Sequence, residues 1–306
     1  MRTEIEKASK RIAAHIRRTP IMQLEEDIWD LDARVTLKLE QLQHTASFKP
    51  RGAFNRILSN TVPEAGVIAA SGGNHGIAVA HAAWRLGHQA EIFVPEVCSP
   101  IKVERLRNYG ARVNIVGESY AQAFAASQVR AAQTGALVVH AYDQPEVIAG
   151  QGTLGYEFAQ QAPELDTILI AVGGGGLIGG VAAWFEGAVR VIGVEPESAS
   201  SMTHALAAGK PVDVEASGVA VDSLGAGRVG QFAFDLVQQH VERVVLVSDE
   251  SIRQAQRALW RDLRIVAEPG GATATAALLS GAYQPAPGER VGVIICGGNA
   301  DLAMLQ

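Results

Sequence analysis

"TILIAVGGGGLIGGVAAWF", residues 167–185, contains no charged side chain. About 20 apolar residues cross a bilayer, but six of these are glycine and the β-branched residues come first. The stretch therefore reads as a buried strand that enters a glycine turn and continues as a helix. Successive glycines let backbone N–H groups converge without Cβ obstruction, and a following helix N-terminus adds a field that favours an anion. A phosphate is the natural guest. Two other readings stay open at this point. The glycines could simply pack strand against helix. Alternatively, Gly174, Gly176 and Gly179 satisfy G-x-G-x-x-G and Glu195 ends the next strand about 20 residues on, as in a dinucleotide site.

Outward from this stretch, short β-prone runs alternate with helix-length segments. The runs are "VTLKLE" at 35, "VIAA" at 67, "AEIFV" at 90, "RVNIV" at 112, "LVVH" at 137, "VRVIGV" at 189, "RVVLV" at 243 and "VGVII" at 291. Strands without strict alternation, joined by helices such as 74–86, 120–134 and 251–261, indicate an α/β protein with parallel sheets covered on both faces. Ligands of such sheets bind where strands end and helices begin. The stretch 209–227 carries few helical cues and reads as loop.

The composition narrows the function classes. A length of 306 residues suits two medium domains. A net charge of −6 offers no basic field for a phosphate backbone, so nucleic acid is not an expected partner. Two cysteines far apart, Cys98 and Cys296, fit a reducing cytoplasm and no disulfide. At the N-terminus Ile5, Ala8, Ile12 and Ile16 form an amphipathic stripe among charges, a helix and not a signal peptide. Neither export nor membrane insertion is expected.

Three further stretches could carry chemistry. In "SGGNHG", Ser71 to Gly76, a turn between strand and helix offers N–H groups, a hydroxyl and an amide, the donors that hold a carboxylate. Ser71 or Asn74 could instead cap the helix. In "SFKPRGA", Lys49 precedes Pro50, which places it at the mouth of a helix beginning near Arg51. There it is either a solvated charge or an amine made nucleophilic by desolvation, the kind that condenses with aldehydes such as pyridoxal phosphate. Finally, Cys296 ends an apolar run before Gly297, Gly298 and Asn299, as a buried small hydrophobe or as a thiol facing a ring nitrogen.

"SFKPRGA", "SGGNHG", "GQGT" at 150, "GGGGLIGG" at 173, "EPGGA" at 268 and "CGGNAD" at 296 occur in this order. The ordered set resembles the fold-type II (tryptophan synthase β-like) pyridoxal-phosphate enzymes, in particular the serine/threonine dehydratases, related to serine racemase and hydroxyaspartate dehydratase. The resemblance implies a large cofactor domain of residues 1–59 and 144–306 and a small inserted domain of residues 60–143. It implies that Lys49 holds pyridoxal 5'-phosphate covalently and then serves as the base at Cα. Phe48 would flank the ring, Asn74 would bond its phenolic oxygen, and Cys296 and Glu268 would meet the ring. Gly173, Gly174, Gly175, Gly176 and Leu177 would bind the phosphate. Ser71, Gly72, Gly73, Asn74 and His75 would hold the substrate carboxylate.

The implied reaction is loss of water from a small L-3-hydroxy amino acid, threonine or serine, to give a 2-oxo acid and ammonia. Phenylserine or hydroxyaspartate dehydration and racemisation are the alternatives within the family, and an NAD oxidoreductase or a non-catalytic sensor lies outside it. Racemases of the group carry a serine where Gly72 stands, so racemisation is expected to be weak or absent. Members with a divalent cation use a glutamate, a carbonyl and an aspartate. Glu195 and Ala199 are present here, but Ser201 stands for the aspartate, which leaves a cation one hard ligand short. The resemblance also implies a homo-oligomer, dimer or tetramer. Because biosynthetic members append a regulatory domain and the sequence stops at Gln306, a catabolic enzyme without that feedback is expected.

Overall fold

A computed structural model describes residues 1–25 and 28–301. The first half of the chain runs α1 (Arg2–Ile12), β1 (Ile21–Gln23), β2 (Ala33–Lys38), α2 (Lys49–Leu58), β3 (Val67–Ala70), α3 (Asn74–Leu86), β4 (Ala90–Val94), α4 (Pro100–Asn108), β5 (Arg112–Ile115), α5 (Tyr120–Thr134) and β6 (Leu137–Val138). It continues as α6 (Pro145–Gln161), β7 (Thr167–Ala171), α7 (Gly176–Phe185), β8 (Arg190–Pro196), α8 (Ser201–Ala208), α9 (Val221–Leu224), α10 (Gln231–His240), β9 (Arg243–Val247), α11 (Asp249–Leu263), α12 (Pro269–Leu279) and β10 (Glu289–Ile294).

Among the described residues these strands form two sheets, ordered β1-β2-β10-β7-β8-β9 and β5-β4-β3-β6. Only the β1–β2 pairing is antiparallel. The central strands β3, β4 and β7 are buried along their whole length, as expected of parallel strands with both faces covered. β1 has no strong β-prone run of its own, and its pairing with β2 defines it.

Two expectations shift. The buried stripe of α1 is Ile5, Ala8 and Ile12, and the helix stops before Ile16. Just beyond, Gln43 takes the backbone: Arg17 N–H donates to Gln43 Oε1 (2.9 Å) and Gln43 Nε2 donates to Arg17 O (2.8 Å). In the loop-like stretch 209–227 one short helix, α9, forms around the buried Leu224. Its packing against Gly173 is a tertiary contact that local sequence does not signal.

The glycine excess has a second use besides turns. A Cβ at Gly150 would lie 2.5 Å from Arg51 O and 2.6 Å from Gly52 Cα. One at Gly180 would lie 2.5 Å from Ile148 O and 2.6 Å from Gly152 N. Helices α2, α6 and α7 therefore cross backbone to backbone, which only glycine permits. "GQGT" is a packing motif as well as a family mark.

A charged network lies where these helices meet β2. Arg51 Nε and Nη2 donate to Glu40 Oε1 (2.5 Å) and Oε2 (3.0 Å), and Nη2 also donates to Glu157 Oε2 (3.1 Å). Lys38 Nζ donates to Glu157 Oε1 (2.5 Å), Gln161 Oε1 (2.7 Å) and Thr19 O (2.7 Å). Lys38, Glu40 and Arg51 are fully buried. Two cations face two carboxylates, so the core carries no net charge there. Removing Glu157 takes from Lys38 the carboxylate it is bonded to in low dielectric, while Arg51 keeps Glu40. Glu157→Ala should lower the unfolding free energy by about 3–5 kcal/mol, read as a shift of the urea midpoint. A change under about 1 kcal/mol would mean that water solvates the network.

Candidate active site

The segments that follow β3, β6, β7 and β10 converge. Phe48 N–H donates to Cys296 O (3.1 Å), Gly298 N–H to Ala46 O (2.9 Å) and Asn299 Nδ2 to Thr45 O (2.9 Å). The approach to α2 is thereby zipped to the end of β10. Thr45 and Ala46 sit at φ +59° and +58°. For side chains with a Cβ, and for a β-branched threonine above all, this costs on the order of 1–2 kcal/mol per residue. Strain of this kind gathers at functional sites.

Lys49 is the first residue of α2, two positions ahead of the expected start. Proline tolerates the first turn of a helix, so Pro50 continues from it. The side chain is half-buried, Nζ donates to Ala141 O (2.9 Å) and lies 5.0 Å from the Phe48 ring centroid. Desolvation lowers the Lys49 pKa to about 8, with Cys296 and Glu268 pulling it partly back. Cys296 is buried at the end of β10, Sγ 3.5 Å from Gly270 O. Burial, and then the Glu268 charge, push its thiol up to about 12, so it stays neutral. Glu268 stands at the N-terminus of α12 and is buried, which raises it to about 7 against the hydrogen bond from Asn74. Lys49 is thus no solvated surface charge.

The turn after β3 settles its capping alternative. Neither Ser71 nor Asn74 caps α3 through its side chain. Ser71 Oγ accepts from Gly73 N–H (3.2 Å), and the first N–H groups of α3 have no partner within the helix. Asn74 faces the other way: Nδ2 donates to Glu268 Oε1 (2.5 Å), while Oδ1 accepts from Asn299 Nδ2 (2.7 Å). Ser71 to Asn74 are half-buried. His75 is buried, and its ring serves the fold. Nε2 lies 2.9 Å from Val139 O, and burial followed by the Lys49 charge lowers it to about 3. A neutral ring beside a carbonyl must carry its proton on Nε2, so only the backbone N–H of His75 is left for an anion.

The turn after β7 is a second cradle. Gly175 sits at φ +91° and precedes α7. A Cβ at Gly173 would lie 3.1 Å from Leu224 Cα, and one at Gly176 would lie 3.0 Å from Tyr142 Cα. A Cβ at Gly174 would enter the Tyr142 ring. Leu177 is buried in the first turn of α7. Sequence reading missed Tyr142 and the Ala141 carbonyl. The available signal was their place directly after the β-prone run "LVVH", at a strand's carboxyl end.

Glu195 and Ala199 lie apart from this cluster and do not fit a cation. Glu195 Oε1 accepts from Met202 N–H (2.7 Å), and Oε2 accepts from Thr203 N–H (2.9 Å) and Thr203 Oγ1 (2.7 Å). Both oxygens are spent on the first turn of α8, and the Ser201 hydroxyl donates to Ala226 O. Among the described residues no group of three or more His, Cys, Asp or Glu side chains is placed to hold a metal. The same bonds deny Glu195 to a ribose, which removes the dinucleotide reading of the glycine loop. Nor is any described helix long and apolar enough to cross a membrane; 167–185 folds as β7, turn and α7.

A group lowered to about 8 is an ammonium below that pH and a free amine above it. In ligand-free protein, acylation of Lys49 followed by peptide mass spectrometry should rise with a midpoint near pH 8. A midpoint near the ordinary lysine value of about 10.4 would show an amine in water.

Comparison with known proteins agrees with this geometry. Residues 12–297 match the family described as "Pyridoxal-phosphate dependent enzyme". The chain is 37% identical over 298 residues to phenylserine dehydratase of Ralstonia pickettii, covering 96% of this chain and 91% of that protein. It is 38% identical to L-threonine ammonia-lyase of Thermotoga maritima, covering 89% and 69%. Among solved structures, maize serine racemase superposes with a TM-score of 0.93 at 33% identity, covering 99% of this chain and 95% of that one. The threonine deaminase of T.th. gives 0.91 at 35%, covering 98% of each. With its two largely parallel sheets, and a desolvated lysine and a glycine turn at their carboxyl ends, the chain belongs to the fold-type II family of pyridoxal-phosphate dependent enzymes.

Proposed function

We propose that the protein is an ammonia-lyase that removes water from a small L-3-hydroxy amino acid, threonine or serine, and releases a 2-oxo acid and ammonia. The observation that carries this reading is Lys49, a desolvated amine placed among two open helix N-termini and a neutral thiol. The names of the relatives, threonine ammonia-lyase and phenylserine dehydratase, support it.

The residues present fit pyridoxal phosphate. A Cβ at Gly174, Gly175 or Gly176 would come closer than 3.0 Å to Tyr142, Ala233 or Met202, so the turn before α7 stays bare backbone, and N–H groups at a helix N-terminus suit a phosphate. On this reading Lys49 holds the group covalently, the N–H groups of Gly173 to Leu177 take the phosphate, Phe48 flanks the ring, and Asn74, Cys296 and Glu268 meet its edge. When bound, the cofactor stabilises the negative charge that develops at Cα.

The chain's own part follows from the geometry. Ser71, the N–H groups of Gly72 to His75 and the α3 N-terminus orient the substrate carboxylate. Lys49, a base near neutral pH, takes the proton from Cα. Cys296 keeps its proton, so at the ring nitrogen it would hold the group as a neutral partner and add no charge there. Racemisation would need a second acid on the opposite face of Cα. Gly72 has none, and a Cβ there would lie 2.5 Å from Cys98 Sγ. The inserted domain of residues 60–143 is part of the same proposal, with the site at its junction with the rest of the chain.

Purified protein should be yellow and bleach with borohydride, and Lys49→Ala should abolish both behaviours. Threonine or serine should release 2-oxobutanoate or pyruvate, with little D-serine formed from serine. A colourless protein, or a coloured one that interconverts serine enantiomers without releasing pyruvate, would refute the reading.

A further inference from the structure

Four side chains form one hydrogen-bonded line through the site. Arg105 of α4 donates from Nη2 to Asn299 Oδ1 (2.8 Å), Asn299 Nδ2 donates to Asn74 Oδ1 (2.7 Å), and Asn74 Nδ2 donates to Glu268 Oε1 (2.5 Å). The line joins α4, the segment after β10, the start of α3 and the residue before α12.

Its ends set its direction. A guanidinium only donates and a carboxylate only accepts, so each amide between them turns its oxygen toward Arg105 and its nitrogen toward Glu268. Asn299 Nδ2 also donates to Thr45 O (2.9 Å), in the same sense. A cation at one end and an anion at the other align both amide dipoles, and bonds in such a chain polarise one another.

The Glu268 end is the weaker anchor. Its carboxyl packs on bare backbone, since a Cβ at Gly297 would lie 1.8 Å from Oε1, and burial raises it to about 7. Once protonated it can donate as well as accept, and it no longer dictates which way Asn74 points. Arg105 keeps its charge and remains a donor. Among the charges that face Glu268, Arg105 leads in favouring the carboxylate, Lys49 adds to it, Asp222 opposes it, and Cys296 stays a neutral thiol. The base of Arg105 is fixed, because Val103 and Leu106 anchor α4 in the core.

With pyridoxal phosphate in place, the second N–H of Asn74 Nδ2 is the donor left for the phenolic oxygen. A reversed amide would set its own oxygen against that oxygen. We propose that Arg105 is a positioning residue, which acts through Asn299 to hold Asn74 with its amide nitrogen toward Glu268 and the cofactor.

The effect on turnover rests on the elimination reading, and the test separates the two. In the ligand-free full chain, the Glu268 carboxyl carbon is isotope-labelled, assigned by its loss in Glu268→Gln and titrated by NMR. Arg105→Ala removes a cation that favours the carboxylate, so the midpoint should rise above about 7. In the holoenzyme the same variant should lower kcat/KM for 2-oxo acid release from threonine or serine about tenfold, the worth of one hydrogen bond to a charged group. Arg105→Lys, still a cation and only a donor, should recover most of both. Arg107→Ala, which removes an exposed cation from the same helix, should change neither. An unmoved midpoint, an unchanged kcat/KM, or an equal effect of Arg107→Ala overturns the role of Arg105. A midpoint that rises in Arg105→Ala while the unsubstituted protein releases no 2-oxo acid upholds the line and overturns elimination.

Discussion

The guanidinium of Arg51 holds the working end of the molecule together. It lies two residues after Lys49, fully buried, bonded to Glu40 just past β2 and to Glu157 on α6. Lys38 balances the second carboxylate, and the Thr19 hydroxyl and N–H bond to Glu40 and Glu157. An arrangement of this kind is tolerated in low dielectric only when every charge has a partner in good geometry. Its members come from four separate parts of the chain, so it forms only when those parts are in place. The first turn of α2, and with it Lys49, then has one position.

The glycine crossings lie beside the same helices. Gly52 against Gly150 and Gly180 against Gly152 bring α2, α6 and α7 into backbone contact, so the helix that carries the lysine and the helix whose N-terminus forms the second cradle share one support. Rigidity there complements strain nearby. Thr45 and Ala46 in left-handed conformations are held by Gly298 and Asn299, and the stiff support keeps that conformation from relaxing.

Electrostatics at the centre come from dehydration more than from specific charge pairs. Desolvation is the leading cause of the shifts at Lys49, Glu268 and Cys296 alike. It draws the first two toward neutrality near physiological pH and locks the third as a thiol. An amine, a carboxyl and a thiol poised so differently in one small volume are what proton transfer at a carbon acid needs.

Much of this was legible from residue order alone. "VIAA", "AEIFV" and "RVVLV" form strands at those positions, and 74–86 and 120–134 are helices, because β-branched runs and alanine-rich segments each favour a single local conformation. Glycine runs at strand ends marked both cradles, since bare backbone at such points has few uses other than an anion. Partners across the fold were not legible. Glu195 looked like a ribose or cation ligand until α8 was seen to consume both of its oxygens, and Tyr142 and Ala141 had no motif of their own. The α/β class and the positions of the glycine turns and of Lys49 at strand-to-helix junctions depend on neighbours along the chain, so the order of residues was enough to fix them. That Lys49 loses its water and that His75 turns to Val139 emerges only once the chain has folded. Desolvation and side-chain pairing depend on groups remote in sequence, which no local pattern encodes.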